Sequence, residues 1–170
     1  MKLSAEYTYA TSCETLMGLL ADEEFVRWRA LRTLGHGTLD AADVVPGESG
    51  SFTVLVRRTF PTDFIPPQVR AFVGSTIHMR QAEVWASTTP GAAERHGTVA
   101  QEIVGAPARV VGTVTLTPSG TGECTMAYSG DIVVTLPFFT AAIEEAASTR
   151  IRAALDAESE ATRAWLAGER

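Results

Sequence analysis

Apolar and polar residues alternate along most of the first 135 positions of this chain, and after that the period lengthens. From Lys2 to Ala10, Leu3, Ala5, Tyr7 and Tyr9 stand against Lys2, Ser4, Glu6 and Thr8, the pattern of a half-buried strand. Thr11 and Ser12 then offer a helix cap, and a short helix from Cys13 to Leu20 carries Leu16, Leu19 and Leu20. Asp22 caps a second helix, about Glu23 to Leu31, in which Phe25, Trp28 and Leu31 follow at helical spacing.

Strands separated by turns come next. His36 to Val44 is weakly apolar, and Pro46 to Gly50 is turn chemistry. Ser51 to Phe60 puts Phe52, Val54, Val56 and Phe60 on one face. Pro61 to Gly74 breaks the pattern: Pro66-Pro67 leads into a proline-started helical turn, and the segment's Phe60, Phe64, Ile65, Val69, Phe72 and Val73 suit either a lid or a plug for the open end of a sheet. Four more strands follow, about Thr76–Ser87, Gly97–Val104, Arg109–Thr117 and Gly122–Thr135, with short turns between them, which predicts an antiparallel meander.

The period then becomes helical. Leu136 to Leu166 is rich in Ala, Glu, Arg and Leu, contains no glycine, and has Pro137 near its start and Gly168 beyond its end. On a wheel, Phe139, Ile143, Ala147, Ile151, Ala154, Ala161 and Trp165 share one face. A helix of about 30 residues is ~45 Å long, enough to lie diagonally across a whole sheet. The expected architecture is α+β: a curved seven-stranded antiparallel sheet, order β-α-α-β6-α, wrapped around a long C-terminal helix, with residues 1–170 as one domain.

Composition narrows the function classes. The net charge is −6, from 14 basic and 20 acidic residues, and the arginines are scattered rather than striped, so no nucleic-acid partner is expected. No apolar run reaches the ~20 residues of a membrane span, and no secretory signal is visible. Cys13 and Cys124, far apart and without metal-ligand spacing, read as two free thiols of a cytoplasmic protein. His36, His78 and His96 share no ligand spacing, Gly35-His36-Gly37 lacks the features of a nucleotide loop, and no catalytic triad signature is present. No metal and no cofactor are expected.

The order of elements, with Tyr7-Thr8-Tyr9, Phe64-Ile65-Pro66, Arg70 to Gly74, Glu83-Val84-Trp85, Gly130 to Val134, Leu136-Pro137, Ile143-Glu144 and Trp165-Leu166, resembles the helix-grip fold of the START-like (SRPBCC, Bet v 1-like) superfamily. Within it the chain resembles most the uncharacterised family DUF2505. The resemblance spans essentially the whole chain. It implies a hydrophobic cavity for lipids, sterols, polyketides or other apolar small molecules, and transfers no catalytic motif. Where relatives often carry glycine after the Leu-Pro step, this chain has Phe138-Phe139, two rings near the helix entry.

Alternation places Ile77, Met79, Gln81, Glu83 and Trp85 on one face of their strand, and Cys124, Met126, Tyr128, Gly130, Ile132 and Val134 on one face of theirs. The candidate cavity residues are Phe64, Phe72, Met79, Trp85, Met126, Tyr128, Phe139, Ile143, Ala147, Arg150, Ile151 and Glu158, with Arg150 the expected polar contact; plain core packing explains the apolar ones equally well. Glu158 falls inside the apolar stripe of the long helix, where a carboxylate needs water at the helix edge, a raised pKa, or a partner such as Arg57, Arg58, Arg80 or Arg109. Gln81, Glu83, Gln101 and Glu102 read as surface strand residues that could also serve a pocket.

Three functions fit. The first is non-catalytic binding of a hydrophobic or amphipathic small molecule, by a monomer or weak homodimer. The second is a polyketide-cyclase-like enzyme with a cavity acid or base. The third is an interaction module whose cavity its own side chains fill. If the space between sheet and helix is under roughly 100 Å³, against the ~300 Å³ or more usual for ligand sites, the first two fail.

Overall fold

The computed structural model describes residues 1–63, 70, 74–87, 92–104, 108–134 and 140–170, the side chains at 140, 142 and 143 excepted. Strand β1 (Lys2–Tyr9) leads into helices α1 (Cys13–Leu20) and α2 (Glu23–Arg32). Strands β2 (Thr38–Pro46), β3 (Phe52–Pro61), β4 (Thr76–Trp85), β5 (Arg95–Ile103), β6 (Ala108–Gly120) and β7 (Glu123–Val134) follow, and helix α3 (Thr140–Leu166) comes last. The expected order of elements is present. Boundaries moved by a few residues: His36 precedes β2 rather than starting it, and His96 lies inside β5. The helical turn and lid expected within Pro61–Gly74 fall largely on 64–69 and 71–73, outside the described residues.

Both predicted caps form. The Ser12 hydroxyl accepts from the Thr15 backbone N–H at 3.1 Å, and Asp22 Oδ1 accepts from the Glu24 N–H at 2.9 Å. Each satisfies a backbone donor that the first helical turn leaves open.

The seven strands form one antiparallel sheet in the order β1-β7-β6-β5-β4-β3-β2. Its inward face carries Phe52, Val54, Val56, Ile77, Trp85, Val114, Leu116, Cys124 and Met126, all buried. Cross-strand partners Gly112 and Gly130 sit where β6 and β7 approach too closely for side chains. A Cβ on Gly112 would lie 2.5 Å from the Ser129 carbonyl oxygen, and one on Gly130 would lie 2.6 Å from that of Val111. Paired glycines of this kind let a sheet bend and leave bare backbone on its concave side.

Helix α3 crosses that side, and its two halves differ. Glu158, Ser159, Ala161, Thr162 and Trp165 are buried, and the Trp165 ring meets Phe25 at 5.4 Å and Trp28 at 5.2 Å in edge-on contacts. Leu166, one position beyond the buried face, is exposed. The stretch Ala147–Leu155 is no more than half-buried. Along β1 the helix covers a sheet edge: Arg152 donates to the Ser4 carbonyl and Arg163 to the Thr8 carbonyl, each at 3.2 Å.

Cys13 and Cys124 form a disulfide that ties α1 to β7 across 111 residues. The expectation of two free thiols is therefore corrected. Spacing along the sequence could not show that α1 folds back onto the inward face of β7, where the Cα atoms come within 5.0 Å. The cysteines thus no longer argue for a reducing compartment. Among the described residues no helix is long and apolar enough to cross a membrane.

Candidate functional site

Strand alternation turns Arg58 inward. It continues the Phe52, Val54, Val56 face of β3 and is 7 % exposed, although a guanidinium rarely follows three apolar residues into a core. Its Nη2 meets Glu158 Oε1 on α3 at 3.4 Å, and its Nη1 donates to Gln81 Oε1 at 3.4 Å. Gln81 Nε2 in turn donates to Glu83 Oε1 at 3.1 Å. Glu83 is 1 % exposed. Bonds of 3.4 Å are longer than the usual range for such contacts, so the network is continuous but loosely closed.

The α2 residue Arg29, also buried, faces the same carboxylates. Burial pulls its guanidinium down, but the charges of Glu158 and Glu83 outweigh that and hold it above its ordinary value. Burial pushes the Glu83 carboxyl up; Arg29 pulls it back only in part, and Glu158 adds to the rise. The Trp85 indole N–H acts on the same carboxyl without closing a well-formed hydrogen bond, and Trp85 Nε1 and Glu83 Oε2 are both left unpaired. Tyr128 on β7 is half-buried as a residue, with its phenol deep among these groups. Burial first, then Glu83, raise its pKa well above the ordinary value, against an opposing pull from Arg29.

Beside this cluster, between the sheet and the half-buried stretch of α3, is a cavity of about 70 Å³. Leu3, Val99, Val110, Ile151 and Leu155 supply its apolar wall, Gly112 and Gly130 its floor, and Arg58, Glu83, Tyr128 and Glu158 its polar end. Chemically this is a small apolar recess ending in balanced buried charges and one neutral phenol. The Tyr128 phenol is its proton donor, and Glu83 is a carboxyl whose hold on a proton burial has strengthened.

Of the candidates read from sequence, Tyr128, Ile151 and Glu158 line this cavity. Glu158 does so with Arg58 as partner, and not at a solvent edge. Trp85 and Met126 are corrected to core residues, and Trp85 stacks on Phe52 at 6.2 Å. Met79 is half-buried and accepts from Gln101 Nε2, and Ala147 is half-buried; neither reaches the cavity. Arg150, expected as the polar contact, is exposed: one position before Ile151, it is rotated about 100° away from the sheet. Phe64, Phe72 and Phe139, and the side chain of Ile143, lie outside the described residues.

Sequence reasoning missed Arg29 and undervalued Glu83. Both carried a signal. Arg29 is four residues beyond Phe25 and three beyond Val26, on the face α2 buries, whereas Leu31 is 51 % exposed. Glu83 alternates with Trp85 on the inward face of β4, so its burial follows from the strand period.

The fold defines a helix-grip protein of the Bet v 1-like type, and solved structures share it. They include a truncated norcoclaurine synthase from Thalictrum flavum (TM-score 0.58, 16% identity, covering 100% of this chain and 95% of that one). The protein TTHA0849 from Thermus thermophilus matches at TM-score 0.57 and 14% identity, over 99% and 100% of the two chains. Zhui aromatase/cyclase from Streptomyces sp. R1128 matches at TM-score 0.52 and 11% identity, over 96% and 88%. At these identities the likeness is one of fold. No curated protein matches the sequence. Residues 4–166 match the family model described as "Protein of unknown function (DUF2505)", and the chain belongs to that family.

Proposed function

We propose that this chain binds a small, mostly apolar molecule without transforming it, in the cleft between the sheet and the Ala147–Leu155 stretch of α3. The observation that carries this reading is the composition of the recess. Apolar walls converge on a few placed polar groups, as in small-molecule sites generally, and among these Arg58, Glu83 and Glu158 are buried and joined through Gln81 by hydrogen bonds. The names of two fold neighbours, a norcoclaurine synthase and an aromatase/cyclase, indicate proteins of this shape that act on small organic molecules.

The cavity's size sets a condition. At about 70 Å³ it lies well below the ~300 Å³ or more usual for ligand sites. Binding therefore requires α3 to lift along its half-buried part while the Trp165 end stays packed. The same volume favours a second reading, an interaction module whose cleft is filled by its own side chains. Native mass spectrometry of protein purified from its own host separates the two. A co-purifying small-molecule mass is expected for binding; an empty protein from every preparation supports the filled-cleft reading.

A further inference from the structure

We infer that the Tyr128 hydroxyl is the group that receives the bound molecule, and that the end of the molecule it meets is an uncharged oxygen acceptor, a carbonyl or hydroxyl oxygen on an otherwise apolar body. This rests on the small-molecule reading above and deepens it.

The charged and amide side chains at the recess each hold a partner. Arg58 holds Glu158 and Gln81, Gln81 holds Glu83, and Gln101 Nε2 donates to the Met79 sulfur. The three unpaired atoms of the network, Arg58 Nε, Glu83 Oε2 and Trp85 Nε1, have no accessible surface on the cavity. The Tyr128 hydroxyl differs on both counts. It makes no hydrogen bond within the described residues, and it is not among the sealed unpaired atoms, so it keeps accessible surface, on a residue that lines the cavity. A phenol left this way in a mostly apolar recess is an unspent donor, and a hydrogen bond is the interaction it can still offer.

Charge selects against an ionic head group. Counted as ionised, the two guanidiniums of Arg29 and Arg58 stand against the two carboxylates of Glu83 and Glu158. A carboxylate or ammonium brought among them would be a buried charge without a partner, which is costly. Burial also keeps Tyr128 itself in the neutral, donating form. The bare Gly112–Gly130 floor and the Val99, Val110, Ile151 and Leu155 walls then suit a body without further polar groups.

Four matched probes test this by calorimetric titration of the intact chain: 2-acetylnaphthalene, 2-ethylnaphthalene, 2-naphthoate and 2-naphthylmethylammonium. The ketone is expected to bind about two- to tenfold more tightly than the ethyl compound, the span of one net hydrogen bond, and more tightly than either ion. Tyr128→Phe should erase the gap between ketone and ethyl compound. A gap that survives in Tyr128→Phe, or tightest binding by the carboxylate or the ammonium, overturns the assignment. The wild-type ranking of neutral against ionic probes stands even if the variant fails to fold. Binding of none of the four by folded wild-type protein defeats the small-molecule reading itself, and with it this inference.

Discussion

Arg58 on β3 and Glu158 on α3 lie 100 residues apart in sequence and 3.4 Å apart in space, with both side chains less than a tenth exposed. The pair ties the middle of the last helix to the sheet at the point where tight packing gives way to the recess. Two charges so placed have lost their water and depend on each other and on Gln81 and Arg29.

Removing one partner should therefore cost much more than removing both. Arg58→Ala leaves Glu158 with a weaker set of partners and is expected to lose about 3–5 kcal/mol of stability. The double variant Arg58→Met with Glu158→Leu replaces the pair by apolar groups of similar size and should recover most of that loss. Urea unfolding of wild type and both variants checks this; a double variant as unstable as the single one would show that the ion pair is not what the structure depends on.

Glu83 should set a pH dependence of stability. Its folded pKa is raised above the ordinary 4.5, chiefly by burial, so the folded state holds the proton more tightly than the unfolded chain does. The stability this group contributes is thus full below 4.5 and falls as pH rises through the raised folded value. Glu83→Gln should flatten the curve between 4.5 and that raised value. Thermal midpoints measured across this window test the prediction, and parallel wild-type and variant curves would count against it.

Gly130→Ala and Gly18→Ala should act in opposite directions. The first drives a methyl group to within 2.6 Å of the Val111 carbonyl oxygen at the floor of the recess, an overpacking expected to cost about 1–3 kcal/mol. The second adds a methyl in open space inside α1 and should stabilise by roughly 0.5–1 kcal/mol. Denaturation midpoints of the two variants give the signs directly.

The Cys13–Cys124 bridge closes a loop of 111 residues. Replacing both cysteines by alanine should lower stability by about 2–5 kcal/mol. Protein purified under oxidising conditions should show no titratable thiol in denaturant without reductant, and an intact mass lighter by the two thiol hydrogens. Two titratable thiols in such material would show that the bridge does not form.

By itself the sequence determined the periods, and the periods determined the architecture. Alternation fixed which face of each strand points inward, so Val54, Val56, Trp85 and Met126 were assignable to the interior, and Arg58 and Glu83 could have been. Helical spacing placed Glu158 on the buried stripe of α3, and the caps at Ser12 and Asp22 were legible because capping is local chemistry. What the sequence left open was which inward residues meet. Glu158 had four candidate arginines on three strands, and only the crossing of α3 over the sheet brought it to Arg58 while Arg29 arrived from α2. Cys13 met Cys124 for the same reason, and Arg150 left the site because one step along the helix turns a side chain about 100°, from the wall to the exposed face. The volume of the recess depends on how far the paired glycines bend the sheet from the helix, a quantity set by every strand together.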